Sequence, residues 1–364
     1  MTIMKTNKLT RSRISMAFSF LSLLLLLCIT QGAETFTPAP APLYRDPIYD
    51  GAADPALVWN RAEKSWWMLY TARRANQEVP DVAYCYGCDI GVASSKDNGK
   101  TWAYRGTLDL NIERGRNTFW APDIVYHQGQ YHLFVAYIQG AYSHWGGEKR
   151  LAHYTSTNLW DWDFYGFLQI DSPSVIDATL CQMPDGKWRI WYKDENRGSV
   201  TMTAESEDLF SWKVEEVPAI GGAGHEGPKV FRFQGSYWML TDEWRGMRVY
   251  CSDDCKTWDK RGLILDQPAK RAEDKPSGAH GDVLVVKDRL GKEERAYVFY
   301  FTHPGRETHL AGKLDKNGVL PYSLRRSSIQ VAELKLVDGK LICKRDEDFD
   351  FFLPAPENIN NQEK

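Results

Sequence analysis

Short apolar segments alternate with polar turns along most of the chain, and they recur as one repeated unit. Each unit begins at an acidic or histidine-bearing turn, enters an apolar strand, turns at a polar or glycine-containing stretch and leaves through an aromatic-rich strand. The five copies begin at Asp54, Asp123, Asp177, Glu226 and His280-Gly-Asp282. The acidic starts are 69, 54, 49 and 56 residues apart. This period is typical of a four-stranded propeller blade.

A second pattern recurs in step with the first, after each of the first four units. It consists of a Ser, then an Asp or Asn two residues later, then a Trp, and its copies are Ser95–Trp102, Ser156–Trp162, Ser206–Trp212 and Ser252–Trp258. The acid or amide binds backbone in a tight turn and the Trp begins the next strand. We therefore interpret Asp97, Asp208 and Asp254 as turn residues of outer hairpins. Together the patterns predict an all-β fold, a five-bladed β-propeller with four-stranded antiparallel blades around a central channel.

The two ends of the chain differ in composition from the repeats. Basic residues precede an apolar run at Ile14–Thr30, and small residues follow it, which predicts a secretory signal over residues 1–33 and an exported, periplasmic or extracellular protein. A membrane anchor, or a lipoprotein attached through Cys28, remains an alternative. A Pro-rich linker at 34–42, a propeller domain at 43–353 and a polar tail at 354–364 complete the organisation. The segment near Leu43–Ile48 is expected to pair with the last blade and close the ring.

Composition and cysteine content exclude some classes of function for this protein. With 43% hydrophobic residues the chain can form a large core, and a net charge of −3 argues against a nucleic-acid or stable membrane partner. The aromatic content of 13% suits strands and also sugar stacking. Export leaves six cysteines in an oxidising compartment, so we expect local disulfides within Cys85–Cys88 and Cys251–Cys255 rather than a zinc site.

The starts of the repeats are the candidate site. In a propeller the first strand of every blade lines the channel, so these residues converge at one mouth although they are remote in sequence. Gathering like charges is costly unless they serve a purpose, and it separates their pKa values, as one acid and one base require.

The ordered motifs resemble glycoside hydrolase family 43 and its five-bladed relatives, such as family 117. The matching residues are Ala53-Asp54-Pro55, Trp120-Ala-Pro-Asp123, Ile176-Asp177, Glu226-Gly-Pro and Gly278-Ala-His280. The resemblance implies that Asp54 is the general base, that Asp177 tunes the acid and holds the substrate, and that Glu226 is the general acid. It implies no required cofactor, and a calcium or sodium ion near His280. Two departures are an Ala after Asp177, where the family often has Pro, and His225 before Glu226. Because family 117 uses a His as the acid, the resemblance also leaves His225 or His280 as a contributor to the acid.

The resemblance implies an exo-acting, inverting glycosidase, by default an α-L-arabinofuranosidase or β-xylosidase acting on plant or algal polysaccharide fragments. An inverting pair of carboxyl groups is expected about 6.5–9.5 Å apart. Residues at strand ends and in loops are candidate substrate contacts: Arg73, Trp120, Asp123, Trp145, Lys193, His225, Trp244 and Arg245. A non-catalytic carbohydrate-binding propeller remains an alternative. A sialidase-like enzyme is disfavoured, because sialidases have six blades and a three-arginine cluster.

Overall fold

The computed structural model describes Met1 and residues 36–308 and 310–356. The chain divides into two compact units, Met1–Thr37 and Pro38–Lys364, and all the strands described here belong to the second. The predicted signal segment beyond Met1, and residues 357–364 of the predicted tail, lie outside the described residues. In the described ranges, no helix has the length and apolar character needed to cross a membrane.

Twenty strands of the described chain form five antiparallel sheets of four, each built from strands that are consecutive in sequence. Blade one contains β1 (Ala52–Asn60), β2 (Ser65–Ala72), β3 (Ile90–Ser95) and β4 (Ala103–Thr107). Blade two contains β5 (Thr118–His127), β6 (Gln130–Ile138), β7 (Arg150–Ser156) and β8 (Asp163–Phe167). Blade three contains β9 (Val175–Gln182), β10 (Trp188–Asp194), β11 (Val200–Ser206) and β12 (Lys213–Val214). Blade four contains β13 (Glu226–Phe233), β14 (Ser236–Asp242), β15 (Met247–Ser252) and β16 (Asp259–Ile264). Blade five contains β17 (Ala279–Lys287), β18 (Glu294–Thr302), β19 (Ser328–Val337) and β20 (Lys340–Cys343).

The first strands of the blades form a closed ring. Strand β1 lies beside β5 and β17, β9 lies between β5 and β13, and β13 lies beside β17. The sequence prediction of a five-bladed propeller with four-stranded antiparallel blades is therefore confirmed. Helical structure is limited to α1 (Tyr322–Arg325) and two 3₁₀ turns, Ala83–Cys85 and Glu195–Arg197, among the residues that the structure describes. Because β2 and β18 run back towards the channel mouth, the long connections 73–89 and 303–327 both lie on that side.

Apolar side chains fill the spaces between neighbouring blades. One cluster joins Trp67 and Leu69 of blade one to Ile124 and Leu133 of blade two, and all four residues are fully buried. Burying a large apolar side chain stabilises the fold by about 1.5–3 kcal/mol, so most of the aromatic residues are explained by core packing. Only a few of them lie at the channel.

The segment before β1 contacts the last blade, as the sequence predicted. Tyr44 forms an antiparallel bridge with Ile329 of β19, and its N–H donates to the Ile329 carbonyl over 3.1 Å while Ile329 donates back over 2.9 Å. Its hydroxyl lies 3.0 Å from that of Tyr70 in blade one. The segment therefore ties blade five to blade one without replacing a strand, since blade five already has four.

The outer hairpins have the predicted form. Asp208 accepts hydrogen bonds from the N–H groups of Phe210 and Ser211 at 2.9 and 2.8 Å, and Asp254 does the same for Lys256 and Thr257 at 2.8 Å. Asp97 accepts from the Thr101 N–H at 2.9 Å. These acids are turn residues, and they recur because every blade has the same outer hairpin, not because they take part in a reaction.

The predicted local disulfides are absent, because all six cysteines in the described chain are free thiols. Cys88 Sγ donates instead to the Cys85 carbonyl over 3.0 Å. Cys251 packs against the apolar cluster around Trp238, whereas Cys255 is buried in the cluster around Trp191. The side chains of this second pair serve different cores, which the short sequence separation did not reveal.

Candidate active site

A backbone irregularity at the channel mouth recurs in the inner hairpin of every blade. The pairing register slips there, and in each blade the extra residue lies on the first strand. The left-handed φ values within the slipped segments are 49° at Asp54, 48° at Ala121, 58° at Asp177 and 55° at Gly227. Bulges of this kind redirect side chains and bend the strand. The sequence period did not reveal them.

The bulges define two layers of side chains along the channel. The register aligns Asp54, Ala121, Asp177, Gly227 and His280, which we call the mouth layer. Two residues further along each strand lie Ala56, Asp123, Thr179, Lys229 and Asp282, which we call the inner layer. Aligning the repeats by their acids therefore mixed the two layers, because Asp123 and Asp282 are not equivalent to Asp54 and Asp177.

The inner layer is a buried ion cluster. Lys229 Nζ lies 2.9 Å from Asp123 Oδ1 and 2.6 Å from Asp282 Oδ1, and the three residues are at most 5% exposed. The second oxygen of Asp123 accepts the Leu180 N–H, and that of Asp282 accepts the Leu57 N–H, both over 2.7 Å. These bonds join neighbouring blades. The geometry therefore supports a structural role for Asp123, in place of the substrate contact that the sequence suggested.

A cavity of about 700 Å³ opens at the mouth, a volume within the range of small-molecule sites. Nine of the predicted site residues line it: Asp54, Arg73, Trp120, Trp145, Asp177, Lys193, Glu226, Trp244 and His280. The other three, Asp123, His225 and Arg245, are not among the described residues that line this cavity.

Asp54 is held in place by two basic neighbours. Arg73 Nη2 lies 3.3 Å from both of its carboxylate oxygens, and His280 Nδ1 lies 3.7 Å from Oδ1. The guanidinium of Arg73 also stacks 4.7 Å above the Phe301 ring. Asp54 is only 6% exposed, so its carboxylate is oriented and its charge is balanced within the cavity wall.

Asp177 lies between these groups and Glu226. Its Oδ2 accepts the Gly227 N–H over 3.1 Å. Burial raises the pKa of Asp177 to about 6, and the nearby carboxylates of Glu226 and Asp54 add to this, against the effect of His280 and Lys193. A Cβ at Gly227 would lie 2.4 Å from His280 Cγ, so glycine allows the imidazole to approach blade four.

Glu226 is paired with a buried lysine from the neighbouring blade. Lys193 Nζ lies 2.9 Å from Glu226 Oε2 and 3.2 Å from Glu195 Oε1. Burial opposes the ammonium form of Lys193, but the carboxylates of Glu226, Asp177 and Glu195 together raise its pKa. The Glu226 side chain is 29% exposed, so one side of the carboxyl group faces the cavity.

Asp242 is a further acid that lines the cavity, and sequence reasoning missed it. It ends β14 directly opposite Glu226 in the ladder, and it accepts the N–H groups of Trp244 at 2.6 Å and His280 at 3.0 Å. Burial and the Glu226 charge raise its pKa well above the ordinary aspartate value. Its position across the hairpin from Glu226 was the available signal, but the repeat pattern marks only the starts of the first strands.

The His225 side chain does not line the cavity. It is 2% exposed, its Nδ1 lies 2.9 Å from the Ala223 carbonyl, and its Nε2 lies 2.7 Å from the Thr201 hydroxyl. Burial lowers its pKa, so the neutral ring donates from Nδ1 and accepts at Nε2. Because both ring nitrogens are engaged, the geometry does not support His225 as the acid.

Three residues at the rim differ in their access to the cavity. Trp145 is 65% exposed and Trp244 is 43% exposed, and both present rings at the mouth. Lys193 Nζ lies 5.6 Å from the Trp244 ring centroid. Arg245, whose side chain is 61% exposed, pairs with Glu243 outside the cavity.

The surroundings of His280 do not fit the expected metal ion. Within the described ranges, no group of three or more His, Cys, Asp and Glu side chains is arranged to hold one. The two inner-layer carboxylates already share the Lys229 ammonium, and His280 faces Asp54 and the Gly227 backbone.

Comparison with solved structures relates this fold to family 43 glycoside hydrolases. A thermostable family 43 enzyme aligns with a TM-score of 0.58 and 17% identity, covering 86% of this chain and 99% of its own. A family 43 β-1,3-galactosidase solved with galactodeoxynojirimycin gives 0.60 and 14%, covering 84% and 98%. A calcium-free β-xylosidase/α-arabinofuranosidase from a compost metagenome, in complex with xylotriose, gives 0.60 and 16%, also covering 84% and 98%. The propeller fold thus agrees with the resemblance seen in the sequence motifs.

Sequence comparison gives a shorter match. A probable sucrose-6-phosphate hydrolase of Psychromonas ingrahamii is 30% identical over 165 residues, which cover 39% of this chain and 30% of that protein. The chain therefore matches less than a third of the length of this curated relative. No protein-family model matches the chain.

Proposed function

We propose that the protein is a glycoside hydrolase, exo-acting and inverting, that removes terminal sugars from polysaccharide fragments. The observation that carries the proposal is the convergence of Asp54, Asp177 and Glu226 on one cavity at the propeller mouth. Three blades supply these acids, and each acid has a different set of partners. Distinct environments for neighbouring carboxyl groups are what acid–base chemistry requires.

In the proposed mechanism Asp54 accepts a proton from a water molecule as that water attacks the anomeric carbon. Glu226 donates its proton to the glycosidic oxygen as the bond to that carbon breaks. The leaving sugar takes up this proton, and the released sugar carries the new hydroxyl on the opposite face. Arg73 orients the Asp54 carboxylate, and Lys193 orients Glu226.

Asp177 and Asp242 keep protons within the same cluster. Their pKa values are raised by burial and by the Glu226 charge, so both carboxyl groups hold protons more readily than ordinary aspartates do. Glu226 is the member that faces the cavity beside Lys193. In our proposal the other two position the substrate and return Glu226 to its protonated form after each turnover.

The proposed substrates are α-L-arabinofuranosides and β-xylosides of plant or algal polysaccharides. Two structural neighbours are named for β-xylosidase/α-arabinofuranosidase and β-1,3-galactosidase activities, which makes these pentosides and a β-galactoside the first glycosides to test. The rings of Trp145 and Trp244 at the rim offer stacking surfaces for a sugar. We also propose export to the periplasm or the cell exterior, where such fragments occur.

A screen of arabino-, xylo- and galacto-oligosaccharides tests the proposal. We expect the parent protein to release monosaccharides from chain ends, and proton NMR to show inversion in the first-formed anomer. Glu226→Gln should lower hydrolysis at least 100-fold, whereas the surface change Glu207→Gln should leave it unchanged.

Retention of configuration would contradict the inverting mechanism, and full activity of Glu226→Gln would contradict the acid assignment. Tight binding of these glycans without hydrolysis would favour the alternative, a carbohydrate-binding propeller. The exposed rings of Trp145 and Trp244 are the observation that supports that second candidate.

A further inference from the structure

Arg306 lies in the cavity wall beside the proposed catalytic groups. It belongs to the long connection 303–327 of blade five, and this connection contacts the 73–89 connection of blade one. The Asp81 N–H donates to the Gly318 carbonyl over 2.8 Å, and Arg306 Nη2 lies 3.3 Å from the Tyr84 hydroxyl. The two connections together form one side of the cavity.

The guanidinium of Arg306 has neutral partners in the described chain. Nε donates to the Leu324 carbonyl over 2.8 Å, and Nη2 donates to Tyr84. Of the carboxylates that the structure describes, none lies within 4.0 Å of it, and Nη1 has no hydrogen-bond partner there. Asp81 lines the same cavity but forms no ion pair with it.

The other cations of the cavity are balanced. Arg73 pairs with Asp54, and Lys193 pairs with Glu226 and Glu195. Arg306 differs from them in having only neutral partners among the described residues, and the neighbouring His303 is a neutral ring. His303 donates from Nδ1 to the Arg326 carbonyl over 2.9 Å, and burial together with Arg306 and Arg73 lowers its pKa well below the usual value.

A half-buried guanidinium whose Nη1 has no partner in the described chain is a binding group for a planar or tetrahedral anion. Arginine stays charged in proteins and presents paired N–H donors that fit carboxylates and phosphates. Burying such a charge without a counter-charge is costly. An anion brought by the ligand would give Arg306 the charged partner that the described chain does not provide.

We propose that Arg306 binds an anionic substituent of the substrate, so that the enzyme acts on acidic sugar chains. The substituent is a carboxylate, a sulfate ester or a phosphate ester on the sugar bound in the cavity or on its neighbour. This inference rests on the proposed glycosidase function and narrows its substrate class. Arg306 then serves as a specificity residue, separate from the acids that break the bond.

Isothermal titration of matched sugar pairs tests the inference. The probes are glucuronate and galacturonate, galactose 6-sulfate, and glucose 6-phosphate, each compared with neutral glucose or galactose. In the parent protein at least one anionic sugar should bind ten-fold or more tightly than its neutral counterpart, and added NaCl should reduce this preference. The pair that responds identifies whether carboxylate, sulfate or phosphate is recognised.

Variants at the same position complete the test. Arg306→Gln keeps a donor for the Leu324 carbonyl and should abolish the anion preference while neutral sugars bind as before. Arg306→Lys keeps the charge without the paired donors and should reduce the preference for the anionic sugar at least three-fold. If one of the two variants does not fold, the other is sufficient to test the inference. The matched control is Arg261→Met on the outer strand of blade four, which should keep the full preference.

Equal binding of all pairs by the parent, or an unchanged preference in the folded variants, would overturn the inference. These results are distinguishable from failure of the proposed function. Hydrolysis of neutral glycans without any anion preference would leave the glycosidase standing, whereas anion-dependent binding without hydrolysis of any acidic or neutral glycan would refute the glycosidase alone.

Discussion

Lys193 and Glu226 join blade three to blade four at the edge of the cavity, with Nζ 2.9 Å from Oε2. Lys193 is 4% exposed, so its ammonium is desolvated and depends on the carboxylates around it. The contact fixes the direction in which Glu226 presents its second oxygen. It therefore connects the packing of two blades to the geometry of the proposed acid.

Lys193→Met should lower kcat/KM by about 10–100-fold, because misplacement of a catalytic group by about 1 Å is enough for such a loss. Glycoside hydrolysis by the purified variant is the measurement. Lys187→Met is the matched control, since Lys187 forms a surface pair with Glu207. Wild-type activity in Lys193→Met would show that Glu226 is positioned without the lysine.

Asp177 predicts a pH dependence of stability. Its folded pKa of about 6 lies above the unfolded value of 3.8, so the folded state holds the extra proton between these pH values. Stability from this group therefore falls as pH rises from about 4 to about 6, and the loss persists above that. Two pKa units correspond to about 3 kcal/mol.

Chemical denaturation from pH 4 to pH 7 measures this effect. Relative to Asp177→Asn, the parent should lose about 3 kcal/mol of unfolding free energy across this range. The exposed Asp253→Asn variant should follow the parent. A difference between parent and Asp177→Asn that stays constant with pH would contradict the raised pKa.

Removing the lysine of the inner layer is expected to lower the free energy of unfolding strongly. Lys229→Met leaves Asp123 and Asp282 buried without their cation, and breaking a buried pair in this way costs about 3–5 kcal/mol. Urea unfolding should show this loss. Combining Lys229→Met with Asp123→Asn and Asp282→Asn should recover much of it, and a single-variant loss below about 1 kcal/mol would contradict the structural role.

Gly227 predicts a local effect on the site. Gly227→Ala combines a left-handed φ of 55° with a Cβ only 2.4 Å from His280 Cγ, so the imidazole and the Asp54 beside it must move. We expect at least a ten-fold loss of kcat/KM. Gly235→Ala is the matched control in the same blade, because Gly235 also has a positive φ but has open space around it. Equal losses of kcat/KM in both variants would show that backbone strain, and not contact with His280, causes the effect.

The sequence was sufficient for the architecture because two motifs repeated in step. A period of polar turns and aromatic strands is a property of every blade, so the fold and the turn roles of Asp208 and Asp254 followed from it. The mouth positions of Asp54 and Asp177 also followed, since both lie near the start of an inner strand.

The remaining features depend on pairing register and on long connections. Ala121 is the residue of blade two that matches Asp54 in the pairing register, and Asp123 lies two residues further along the strand. Asp123 was therefore grouped with Asp54 although it belongs to the inner layer. Asp242 comes from a second strand and Arg306 from a 25-residue connection, and neither carries a repeat that marks it. The disulfide expectation failed for Cys251 and Cys255 for a related reason, because spacing does not report which core a side chain faces.

The division of labour between Glu226 and Asp54 is tested most directly by the leaving-group dependence of hydrolysis. An acid is needed most when the leaving group is a poor one. Kinetics are measured on the best oligosaccharide from the screen and on an aryl glycoside of the same sugar with an activated phenolate leaving group. Glu226→Gln should lose at least 100-fold on the oligosaccharide but less than about 10-fold on the aryl glycoside, whereas Asp54→Asn should lose at least 100-fold on both. Equal losses on both substrates for Glu226→Gln, or wild-type rates for Asp54→Asn, would contradict the account.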